Sequence, residues 1–130
     1  MSLSTDAAYL AAFHDGTLPA AGFNHLAHCR VAFCQLTQDP FLEACIAVRD
    51  GLRRFAAAQG QPGLYHETIT VAFMSVVAER MRRHPGATWP ELLAACPELA
   101  DKALLQRWYR PELLGSPEAR AAFVLPEGRA

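Results

Sequence analysis

Three histidines and one glutamate carry the strongest chemical signal in this chain. His25 and His28 lie three residues apart in Phe23-Asn24-His25-Leu26-Ala27-His28, and His66 and Glu67 are adjacent in Tyr65-His66-Glu67-Thr68. On a helix, a separation of three places two side chains about 60° apart on neighbouring turns, where two imidazoles can converge on one metal ion or one substrate group. In helical metal proteins the ligands project inward from facing helices, and a His-x-x-His helix can meet a His-Glu helix in that way. Three imidazoles and a water suit zinc, or another first-row divalent transition metal. The bound water would then be the nucleophile of a reaction on a small molecule, with Glu67 as general base. Adjacency works against a shared focus, because His66 and Glu67 point about 100° apart on a helix. Glu67 therefore serves more readily to orient a ligating ring, or as a charge at a helix N-terminus, than as a ligand itself.

The same residues admit two other readings. In one, the histidines and arginines hold a small anionic ligand without a metal; in the other, the polar motif only knits helices together in an interaction protein. Arg107, Tyr109, Arg110, Ser116 and Arg120 form a second polar set. An arginine facing a pocket can hold a carboxylate or phosphate by a bidentate fork. The simpler expectation is that these arginines fasten the C-terminal segment to the bundle through carboxylates. His14 and His84 sit beside turns and are expected to be solvated, and Tyr65 is expected at the edge of the core. The chain carries no Gly-rich phosphate loop, no Gly-x-Ser-x-Gly elbow and no His-Glu-x-x-His helix.

Helices must position these groups. Asp6 to Phe13 is a short Ala-rich helix candidate, ended by Asp15-Gly16. Asn24 can cap a second helix to about Leu36, with Leu26, Cys29, Phe33 and Leu36 on one face. Asp39-Pro40 reads as a capping carboxylate followed by proline at the first helical position. The third helix then presents Phe41, Cys45, Val48, Leu52 and Phe55 and stops at Gly60. In Leu64 to His84, Thr68-Ile69-Thr70-Val71 favours a strand, but about 20 residues without punctuation is long for one, so the spacing predicts a helix. Thr88-Trp89-Pro90-Glu91 is a capping box. Glu98 to Tyr109 is predicted as a further helix with Leu99, Ala103, Leu104 and Trp108 facing the core, and Ser116-Pro117-Glu118 starts a last short one. Asn24–Leu36 and Leu64–His84 are expected to pack together with their first turns at one end, bringing His25, His28 and His66 together. The fold class is all-α: a compact helical bundle with short connections, in one domain spanning 1–130.

Composition limits the partners. The 130 residues carry a net charge of −1, without the basic surplus that displaces counterions from nucleic acid. Arg80, Arg82, Arg83 and His84 form a basic cluster, as a helix C-terminus prefers. Cys29, Cys34, Cys45 and Cys96 form no Cys-x-x-Cys pair and are expected as reduced, unpaired thiols. There is no secretory signal and no segment of about 20 apolar residues, so no membrane span is expected and a reducing cytoplasm is the expected address.

Three blocks resemble, in length and order, a family of small uncharacterised bacterial proteins with Phe-x-His-x-x-His and Tyr-His-Glu-Thr motifs. They are Phe23 to His28, the block from Gly63 to Thr70, and the ending Leu114-Gly115-Ser116-Pro117-Glu118-Ala119-Arg120-Ala121-Ala122-Phe123-Val124-Leu125-Pro126. The resemblance covers nearly the whole chain, with Tyr65-His66-Glu67-Thr68 its most specific part. It implies a freestanding domain and assigns no activity.

Overall fold

The computed structural model describes residues 5–127, and every regular element among them is helical. α1 (Asp6–Asp15) starts on the Thr5 hydroxyl, which accepts from Ala8 N, and ends at Gly16, whose φ of 82° suits glycine. α2 (His25–Gln38) begins as expected on the Asn24 side chain, 3.1 Å from Ala27 N. α3 (Phe41–Ala58) departs from the expected start. Pro40 takes the cap position without a side-chain bond, and the Asp39 carboxylate turns back to accept from Gln35 Nε2 at 2.5 Å. α4 (Glu67–Arg83) is helical through Thr68–Val71, so continuity with the residues that follow outweighs local β propensity. α5 (Trp89–Ala95) carries the complete Thr88–Glu91 capping box.

The expected helix from Glu98 to Tyr109 is absent. Two 3-10 turns, Pro97–Ala100 and Leu104–Arg107, replace it. Asp101 sits in extended backbone between them, and its carboxylate accepts from Ala103 N at 2.9 Å, a local bond that competes with helix continuation. Trp108, expected in the core, is 43% exposed. Two short helices, α6 (Pro111–Leu114) and α7 (Pro117–Ala121), close the fold.

α2 is the enclosed helix. Val31, Ala32, Phe33, Cys34 and Gln35 are buried in succession, and five consecutive residues circle the helix more than once, so no single face is left to solvent there. Against it pack α1, α3, α4 and the Pro97–Ala100 turn. Leu26, expected in the core stripe, is partly exposed instead. α3 is amphipathic: Ala44, Val48 and Gly51 are buried, while Leu42 and Ile46 face outward. A Cβ at Gly51 would lie 2.3 Å from Phe13 Cε2, so only glycine admits this closeness of α1 and α3. Val31, Val77, Leu92, Leu99 and Leu104 anchor the main core. Each fully buried side chain of this type stabilises the fold by about 1.5–3 kcal/mol. A smaller cluster around Ala72, Leu105 and Tyr109 receives the C-terminal segment.

Arg80, Arg82 and Arg83 stand in the last turn of α4 as expected, and Arg80 among them is buried. It donates from Nε to Glu98 at 2.9 Å and also pairs with Glu79, which satisfies a charge that would be costly alone. All four cysteines are free. Among the described residues, no helix is long and apolar enough to cross a membrane.

Candidate functional site

The start of α4 uses Tyr65-His66-Glu67-Thr68 for fastening. His66 is the N-cap: its Nδ1 accepts from Ile69 N at 3.1 Å, satisfying one of the orphan donors of the first turn. With Nδ1 accepting, the proton resides on Nε2, which donates to Leu114 O at 2.6 Å. Both nitrogens of this buried ring are therefore engaged. Tyr65 donates to Glu67 Oε1 at 2.5 Å, and burial together with that bond raises the tyrosine pKa. The Thr68 hydroxyl is fully buried, donates to Ala122 O at 2.8 Å and accepts from Val124 N at 3.1 Å. Arg120 on α7 reaches back, donating from one NH group to the carbonyls of Gly63, Leu64 and Tyr65 at 2.9, 3.2 and 3.3 Å. Ser116 caps α7, and Arg110 pairs with Glu127 at 2.6 Å. Arg110 and Arg120 do fasten the segment, Arg120 through carbonyls rather than a carboxylate, while Arg107 makes no such bond among the described residues.

At the start of α2 the two histidines part company. His25 Nε2 lies 2.8 Å from Leu99 O and 3.6 Å from Cys29 Sγ, and its ring packs on Phe73 at 4.7 Å. His28 packs on Phe23, ring centroids 4.4 Å apart, and neither of its nitrogens enters a hydrogen bond among the described residues. Desolvation by its neighbours, and then the nearby His25, push its pKa down to about 4. The residue nevertheless remains exposed at one edge, and solvent there softens the cost of charging it. His14, expected to be solvated, is instead hydrogen-bonded: Arg54 donates to its Nδ1 at 3.2 Å, and its Nε2 donates to Gln35 Oε1 at 2.6 Å.

His28 and His66 face the same cavity of about 320 Å³. Phe23, Leu52, Phe55 and Ile69 make its apolar wall, and exposed Leu64, Gln59 and Arg120 stand at its rim. The first turns of α2 and α4 thus lie at one end of the bundle, as expected. His25 faces a neighbouring cavity that His28 also lines, so His28 is common to both. Glu67 is on neither wall.

Of the three histidines of the expected ligand set, two line this cavity and the third lines its neighbour. His66 has both nitrogens engaged and could ligate only by giving up a hydrogen bond, whereas among the described residues His25 keeps Nδ1 unengaged and His28 both nitrogens. Among the described residues, no group of three or more His, Cys, Asp and Glu side chains is placed to hold a metal. What the cavity offers is one unengaged, neutral imidazole in an apolar wall with a guanidinium at the mouth. Leu52 and Phe55 of α3, and Gln59 just after it, line the cavity without having been marked as site residues by the sequence. Leu52 and Phe55 lie on an ordinary apolar stripe, and no spacing distinguishes a cavity wall from a filled core. Comparison with family models, curated proteins and solved structures finds no match to this chain.

Proposed function

We propose that this protein is a small-molecule-binding domain that takes an organic anion with a compact apolar body, without a metal ion, in the cavity between α2, α3 and the start of α4. The observation that carries this reading is the ring of His28, unengaged among the described residues and held neutral in an apolar wall. A neutral imidazole can donate one hydrogen bond and accept another. Arg120 adds positive charge at the rim, and the guanidinium has donors beyond the one spent on the three carbonyls. A volume of about 320 Å³ is at the small end of ligand pockets, roughly 300–1,000 Å³, which favours a short-chain carboxylate over a larger body. The net charge of −1 and the four free thiols favour a small-molecule partner over nucleic acid and a reducing cytoplasm as the setting.

Calorimetric titration with hexanoate, and with uncharged hexanamide as control, tests the reading. Hexanoate should bind, and hexanamide should bind at least about tenfold more weakly, the worth of a charge-assisted hydrogen bond. Ala56→Leu, which fills the cavity, and His28→Phe, which removes its polar group, should each abolish the difference. Binding that survives both substitutions would overturn the proposal. So would one equivalent of zinc per chain in protein purified without a histidine tag, which would restore the metal centre.

A further inference from the structure

We infer a second ligand site, independent of the His28 cavity, that takes an organic anion with a flat aromatic body in the groove between α4, the Leu104–Arg107 turn and the C-terminal segment. The groove encloses about 680 Å³, roughly twice the volume of the His28 cavity. Two aromatic side chains stand on its walls, Trp108 and Phe123, each 43% exposed. Both line the same groove, and neither meets another ring among the described residues, so their surfaces are available to a ligand.

Phe123 is held in this position. Thr68 pins the carbonyl of Ala122 and the N–H of Val124, the residues on either side of it, and Ala122 is in extended backbone. The backbone is thus held on both sides of Phe123, whose side chain is left 43% exposed on the groove wall. Tyr109 reinforces the strap by donating to Val124 O at 2.7 Å, and Arg110 ties its far end to Glu127. A wall fixed at four points loses little freedom when a ligand settles against it.

The charges on the groove select the occupant. The Glu79 carboxylate has one oxygen against Arg80 and the other 2.5 Å from Arg83, and Arg80 is further engaged by Glu98. Those four groups carry two positive and two negative charges, and Arg107, whose charge Glu98 also feels, leaves the set one positive charge in surplus. Arg107, also on the wall, is exposed and makes no ion pair among the described residues. Its guanidinium presents the planar fork that matches a carboxylate, beside aromatic faces that stack on a flat ring. One surplus cation fits a monoanion; a polyanionic nucleic-acid backbone would need a longer basic track.

The test uses the full chain and naphthalene-2-carboxylate, titrated calorimetrically beside its neutral carboxamide. The acid should bind, with the carboxamide at least about tenfold weaker. Arg107→Gln, a change on an exposed side chain that should leave the helical spectrum and melting curve unaltered, should weaken the acid at least about tenfold and leave the carboxamide unaffected. Trp108→Leu should weaken both ligands. Ala56→Leu, which fills the other cavity, should change neither, so failure of that cavity as a binding site leaves this result standing. Equal binding of acid and carboxamide, unaltered affinity in Arg107→Gln, loss of binding in Ala56→Leu, or no heat at millimolar ligand would each overturn the proposal.

Discussion

The first turns of α2 and α4 both carry histidine and open on the same cavity, yet they use it in opposite ways. At α4 the polar groups are consumed. His66 caps the helix with one nitrogen and holds Leu114 with the other, and Thr68 holds Ala122 and Val124. At α2, Asn24 does the capping, which relieves the histidines of that role; His25 is anchored to Leu99 and His28 is left without a hydrogen bond among the described residues. A histidine with both nitrogens engaged is a fastener, because any new partner must displace an existing one. A neutral ring with neither engaged can meet a ligand at no such cost. The contrast places structural load on the Tyr65–Thr68 block and chemical availability on His28.

The largest effect should follow from breaking the fastener. His66→Ala removes an N-cap, worth about 1 kcal/mol, and leaves the Leu114 carbonyl without its donor, worth about 1–3 kcal/mol more. A loss of about 3 kcal/mol in urea unfolding is expected, and His66→Asn, which can cap but cannot reach Leu114, should recover about 1 kcal/mol of it. Thr68→Val keeps the shape and removes one hydroxyl that serves two backbone groups across 54 and 56 residues of chain. About 2 kcal/mol should be lost, with faster proteolysis of the segment after Ala121. A change within about 0.5 kcal/mol in both His66→Ala and Thr68→Val would show that the block does not fasten the C-terminal segment, and the contrast with α2 would fail.

Most local signals were legible in the sequence, the Asp39 cap excepted, and distant ones were not. The Thr88–Glu91 box and the Asn24 cap needed only residues within three positions, and both formed. The enclosure of α2 was hidden, because a stripe through Leu26, Cys29, Phe33 and Leu36 describes one face and says nothing of a helix surrounded by neighbours. Glu98 to Tyr109 kept helical spacing, but it forms two 3-10 turns, and at the break between them the Asp101 side chain bonds two residues ahead. The Tyr65–Thr68 block was recognisable as unusual and misleading as to cause. Its partner Leu114 lies 48 residues away, so nothing near His66 revealed that its second nitrogen was committed. That one bond engages the nitrogen which capping leaves over.

The smallest predicted effect tests the available side of the comparison. The unfolded chain binds a proton on His28 near imidazole's ordinary 6.5, whereas the native ring does so only near about 4. Between these values the unfolded state holds more protons, so native stability falls as pH drops through that window. The contribution is fully present above about pH 6.5 and has been lost by about pH 4. The solvent-exposed edge of His28 screens the charge, which limits the expected loss to about 1 kcal/mol. His28→Gln removes the titrating ring. At pH 7 it should alter stability by less than about 0.5 kcal/mol, since no hydrogen bond among the described residues is broken. At pH 4.5 the substituted protein should be the relatively more stable of the two, because its unfolded state gains no proton at this position. Urea unfolding of both proteins at the two pH values isolates the difference, as the other titratable groups are common to both. An identical fall in stability for the two would mean that His28 charges as readily in the fold as in water. The ring would then be cationic over much of the mildly acidic range, and the cavity would attract an anion through that charge as well as through Arg120.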